Sequence, residues 1–153
     1  MKKLIVIALV VVMALSVAAF VACGPSGEVE GEYSYNHPYA PDSGAKYGAK
    51  VTVTVKGGVI TAVEVAADTE NFFNLTSSWE SKQTWVDGQK AFLDSFVGLS
   101  VEEVKAIKVD CAENGVPNTV TGAPAALKVV AGATQSSGRV ILAVQNALSK
   151  LAK

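Results

Sequence analysis

Apolar and polar positions alternate through residues 50–56: Val51, Val53 and Val55 point one way, and Lys50, Thr52, Thr54 and Lys56 the other. A period of two belongs to a strand with one buried face. Gly57-Gly58 supplies the positive φ angles of a tight turn, and the β-branched run Val59 to Val65 returns, which predicts a β-hairpin. A short strand is expected at Tyr33 to Asn36. The period then changes. Trp85, Phe92 and Phe96 recur at near-helical spacing from about Thr84, with Gly98 as a stop. Ser100-Val101-Glu102-Glu103 has the form of a capping box and opens a short helix to about Ile107. Residues 110–126, with Asn114-Gly115 and two prolines, read as a loop. Ile141, Val144, Leu148 and Leu151 form one apolar stripe, and Arg139, Gln145, Asn146, Lys150 and Lys153 are polar. This predicts an amphipathic C-terminal helix whose last lysines suit the negative end of its dipole. Strands followed by helices indicate a single small α+β domain, with helices packed on an antiparallel sheet.

The longest apolar run is at the other end. Leu4 to Val21 carries no charge and follows Lys2 and Lys3. That order is the n-region and h-region of an export signal, and the run is also long enough for a bilayer span. It closes on Phe20-Val21-Ala22-Cys23-Gly24, which resembles the bacterial lipobox, with Phe20 in place of the usual Leu. The resemblance implies cleavage before Cys23 and acylation of its thiol, so that the protein is held at a membrane surface by lipid rather than by a span. Residues 1–22 are then a lipoprotein signal peptide. Residues 23–31, small and polar, are the lipidated Cys and a flexible tether, and residues 32–153 are the domain. The expected location is the extracytoplasmic face of the cell membrane, or the outer membrane of a two-membrane host.

Charge and cysteine content narrow the function classes. The chain has 13 Lys and Arg against 14 Asp and Glu, and loss of Lys2 and Lys3 shifts the mature domain further to the acidic side. It has no basic footprint for nucleic acid. With Cys23 acylated, Cys111 stands alone and cannot form an internal disulfide. One His and one Cys do not make a zinc site. Asp110, Glu113 and Asn114 lack the spacing of a calcium loop and read as a turn. His37 lies far along the chain from any candidate Ser, and no nucleophile–base pair stands out. A stand-alone enzyme is the class least supported.

The remaining candidate chemistry is the turn before the last helix, "VAGATQSSGR" at positions 130–139. A helix start exposes N–H groups without acceptors and carries partial positive charge, so it attracts anions. A Gly lets the backbone approach closely, and Ser and Thr hydroxyls add donors. Gly132, Ala133, Thr134, Gln135, Ser136 and Ser137 therefore have the makings of a phosphate cradle. They equally have those of a plain cap, with Ser136 or Ser137 at the N-cap.

"GATQSS" ahead of an apolar helix resembles the signature of the FMN-binding domain family, the flavin-carrying type found in the NqrC and RnfG subunits of respiratory complexes. That pattern is roughly Asp-x-x-Ser/Thr-Gly-Ala-Thr-x-Ser/Thr. Gly132, Ala133, Thr134 and Ser136 match it, whereas Lys128 stands in place of the Asp and Ala131 in place of the Ser or Thr. The hairpin and the position of the signature before the C-terminal helix fit the same family. The resemblance implies FMN as cofactor, with Thr134 as acceptor of a phosphoester installed by a separate flavin transferase. It implies electron transport between a membrane donor and an exported acceptor. Trp79 and Trp85 are candidates to stack on the flavin ring or to pack in the core, and Tyr33, Tyr35, His37 and Tyr39 form an aromatic cluster near the tether. The alternative is a flavin-free surface lipoprotein, a ligand- or protein-binding module on the same fold.

Overall fold

A computed structural model describes residues 24–36, 44, 46–65 and 82–151. The signal segment with Cys23, and His37, Tyr39 and Trp79, lie outside the described residues. Strands β1 (Gly27–Asn36), β2 (Lys46–Lys56) and β3 (Val59–Val65) form an antiparallel sheet in that order. Val51, Val53 and Val55 are buried as the alternation predicts, joined by Ile60 and Val63 of β3. The β2–β3 turn holds Gly57 at φ +58° and Gly58 at φ +78°, the pair of left-handed residues a type I′ hairpin turn requires.

Strand β1 begins well before Tyr33. Gly27 to Gly31 pair with Val55 to Val51, so half of the expected tether is part of the sheet. The residues before it are also held, since Pro25 O accepts from Gly58 N at 2.9 Å and Ser26 Oγ from Gly57 N at 2.8 Å. The glycines that suggested a flexible linker have a packing reason instead. Gly31 lies where the strand backbone touches the last helix, and a side chain there would meet the Ala143 carbonyl and the Ala147 amide.

Helix α1 (Lys82–Asp94) buries Trp85 and Phe92, and Phe96 follows in the turn that ends at Gly98. Ring centroids lie 6.0 Å apart for Trp85 and Phe92, and 5.2 Å for Phe92 and Phe96, both edge-on. Trp85 is thus a core residue. The segment after α1 extends the sheet: Ile60 N donates to Leu99 O and Gly98 N to Ile60 O, each at 2.9 Å. Helix α2 (Val101–Lys105) is shorter than expected and opens on the predicted capping box. Glu103 N donates to Ser100 Oγ at 3.2 Å, and Ser100 N to Glu103 Oε2 at 2.8 Å. These bonds, backbone first, hold the Glu103 carboxyl below its ordinary value of 4.5. A carboxylate lowered by folding stabilises above its unfolded value and ceases to do so as the pH falls through its folded value. The stability difference between the wild type and Glu103→Gln is therefore expected to shrink below about pH 4.5, as read from denaturation midpoints.

The loop expected at residues 110–126 is instead a second antiparallel pair, β4 (Lys108–Cys111) and β5 (Pro117–Thr121). Gly115 turns it at φ +83°, and Asn114 Oδ1 accepts from Val116 N at 3.2 Å. Proline at the first strand position is tolerated, and a bulge next to Cys111 absorbs the irregularity. Helix α3 (Thr134–Ser149) is contacted by β1 and β2 on one side and by β4 and β5 on another. Ile141, Val144 and Leu148 have no exposure, as the stripe predicts; Leu151 is half-buried, and Val140, outside the stripe, is buried as well. Arg139 departs from the pattern. Ser136 to Ile141 are buried without interruption, so the stretch of α3 after Gln135 has no exposed face until Leu142.

Candidate functional site

The turn before α3 is built by the residues of the signature. Ala133 N donates to Val130 O at 3.0 Å, closing a β-turn whose third residue, Gly132, sits at φ +77°. That position in a type II turn requires a left-handed residue. A Cβ on Gly132 would have only Thr84 Cγ2 near it, at 4.0 Å, so the backbone here is open to close approach. The loop leading in is fastened at two points: Lys128 N donates to Ser95 Oγ at 3.0 Å, and Val130 N to Ser137 Oγ at 3.2 Å.

The serines are not the cap. The N-cap is Ala133, which offers no side-chain hydrogen bond, and Thr134 is the first helical residue. Ser136 and Ser137 lie one turn in and are buried. Ser137 stitches the helix to Val130, and Ser136 Oγ accepts from Arg139 Nη2 at 2.8 Å. The first intrahelical bond runs from Ser137 N to Ala133 O at 3.0 Å. The N–H groups of Thr134, Gln135 and Ser136 precede it and have no acceptor within the helix. Thr134 is half-buried, and its hydroxyl makes no hydrogen bond among the described residues. Gln135, Lys128 and Ala131 are exposed.

Behind this turn lies a cluster that the sequence did not disclose. Arg139 is 5 % exposed. Burial draws its guanidinium below the ordinary value, and Tyr35 and Tyr47 act on it in the opposite sense. The Tyr35 and Tyr47 rings stack at 6.3 Å and 20°, and Tyr33 tilts against Tyr35 at 6.2 Å. Tyr33 Oη donates to Gly115 O at 2.7 Å and lies 3.5 Å from Cys111 Sγ. Desolvation first, then Cys111, raises the Tyr33 phenol above its usual range. Tyr33 and Tyr35, two of the residues expected to cluster near the tether, and Tyr47 stand on β1 and β2, the strands against which α3 packs. The missed signal was the unbroken small and apolar run from Ser136 to Ile141 around one Arg.

A small α+β domain whose last helix starts uncapped after a glycine turn presents first-turn N–H donors of the kind that attract anions. The chain matches the model of the FMN-binding domain over residues 44–149 and belongs to that family. No curated protein and no solved structure matches it. FMN is its cofactor. The residues present fit the phosphate of that group: three first-turn N–H donors, a left-handed Gly without steric obstruction, and a threonine hydroxyl with no described partner.

Proposed function

We propose that the protein is a lipid-anchored, extracytoplasmic flavin carrier that relays electrons from a membrane donor to an exported acceptor. The observation that supports it best is the uncapped start of α3, where Ala133 leaves the first-turn donors to a ligand. Gly132, Ala133, Thr134, Gln135, Ser136 and Ser137 form the phosphate site. Thr134 Oγ1 is placed at the first helical position, where it can become the ester oxygen under a flavin transferase. Bound FMN would supply one- and two-electron redox chemistry there; the chain supplies the phosphate grip, the rigid turn and the anchor. Acylation of Cys23 would hold the carrier near its membrane donor and raise the effective concentration.

Lys128 and Ala131 favour a second reading, in which FMN is held without a covalent bond. Both are exposed and both depart from the pattern the transferase reads. A cation at Lys128 suits a phosphate dianion more than an enzyme that expects Asp.

The test is the intact mass of the full chain co-expressed with a flavin transferase, beside Thr134→Val. Added mass of an FMN phosphoester in the wild type and its complete loss in the variant are the expected results. Unmodified mass with strong quenching of free FMN fluorescence would leave the non-covalent reading standing. Neither mass nor quenching would sink both and leave the flavin-free binding module.

A further inference from the structure

Ser136 is 2 % exposed, and its one side-chain hydrogen bond among the described residues is the one its Oγ accepts from Arg139 Nη2 at 2.8 Å. A guanidinium has five donors and no acceptor. While Arg139 occupies a lone pair of the hydroxyl, the Ser136 proton must be given elsewhere, and no described residue takes it. Ser136 also belongs to the first turn of α3, whose N–H groups lack helical acceptors.

Resting on the phosphate site proposed above, we propose that Arg139 is a positioning residue for the flavin phosphate: it commits Ser136 to donate and sets a fixed positive charge beneath the cradle. Three features make Arg139 suited to this. Its side chain is enclosed, so water does not screen it as it screens exposed Lys128. It leaves from the same helix as Ser136, three residues on, where side chains are neighbours. Tyr35 and Tyr47 stand on β1 and β2, the strands against which α3 packs. A phosphomonoester carries about −1.5 to −2 charges at pH 7 and accepts such bonds strongly.

The test compares FMN with riboflavin, the same ring without the phosphate, by fluorescence quenching on the full chain in detergent micelles. Arg139→Gln and Ser136→Ala are each expected to weaken FMN binding about ten- to a hundredfold, the range for hydrogen bonds to a charged group. Riboflavin affinity should stay unchanged, and Arg139→Lys should fall between Arg139→Gln and wild type. The 31P resonance of bound FMN should shift in both variants. Arg139 is buried, so its substitution can cost stability; Ser136→Ala removes the donor, together with the acceptor of Arg139 Nη2, but leaves the guanidinium in place and keeps the test decisive if Arg139→Gln does not fold. Equal losses for FMN and riboflavin would reduce Arg139 to a structural role. FMN affinity at the wild-type level in Ser136→Ala would overturn the proposal while leaving the cradle intact. A wild type with no preference for FMN over riboflavin would overturn the cradle itself, and Arg139 with it.

Discussion

Gly31→Ala is expected to destabilise the domain by about 3 kcal/mol, the upper end of what one added methyl costs in a packed interior. Gly31 pairs with Val51 in the sheet and turns its missing side chain to α3. A Cβ there would collide with the Ala143 carbonyl oxygen and lie 2.5 Å from Ala147 N and 2.7 Å from Ala147 Cβ. Two of these neighbours are helix backbone, which cannot rotate away. Relief would require β1 and α3 to separate. That movement would also strain the bonds from Glu32 N to Asn146 Oδ1 at 3.2 Å and from Lys150 Nζ to Glu30 O at 2.8 Å. Gly98→Ala is the control. Gly98 has φ +92° and nothing within 4 Å of a built Cβ, so its substitution costs only backbone strain, about 1–2 kcal/mol. The check is the urea midpoint at constant m-value. A loss at Gly31 smaller than that at Gly98 would mean that β1 is not seated on α3 as described.

The same strand shows where sequence reading succeeds and fails. The β2–β3 hairpin was legible because one face is buried and the other is wet, so the period of two survives in Val51, Val53 and Val55. The Ser100–Glu103 capping box was legible because it is entirely local. Gly27 to Gly31 were misread because glycine signals flexibility in a linker and close approach in a sheet, and only the packing of α3 separates the two. The β4–β5 pair was missed because its strands are short and mostly exposed, with Pro117, Asn114 and Gly115 dominating the local pattern. That omission carried a second one. Once β4 and β5 cover α3, a further face of its first turns is closed: Gly138 lies against Pro117 and Val109, with a built Cβ 2.6 Å from Pro117 Cβ. A helix enclosed in this way buries its polar residues too, and Arg139 passed for a surface residue because the hairpin that covers the helix was absent from the picture. The signature residues were located by sequence, but their roles changed. Ser136 and Ser137 were candidates for the cap, whereas both are buried one turn in and the N-cap position belongs to Ala133.

Phe92→Ala is expected to cost about 3–5 kcal/mol, the range for removing a large ring from a closed core. The ring has no exposure and joins Trp85 to Phe96 through two edge-on contacts. Phe92→Leu fills part of the space and should cost less than half as much. The larger consequence lies at the proposed phosphate site, because α1 supports the loop that carries it. Phe92 O accepts from Ser95 Oγ at 2.6 Å, and that same Oγ accepts from Lys128 N. One turn earlier, Gly88 lets Val130 rest against the helix, with Val130 Cγ1 only 2.9 Å from where a Cβ would be. A collapsed Phe92 site moves the C-terminal turn of α1, and the loop should follow. Amide exchange separates this from general loss of stability. The Lys128 amide, held from α1 by Ser95, is expected to lose more protection than the Val130 amide, held from α3 by Ser137. Equal losses at both amides would mean that the domain opens as one unit. The turn before α3 would then owe its geometry to that helix alone.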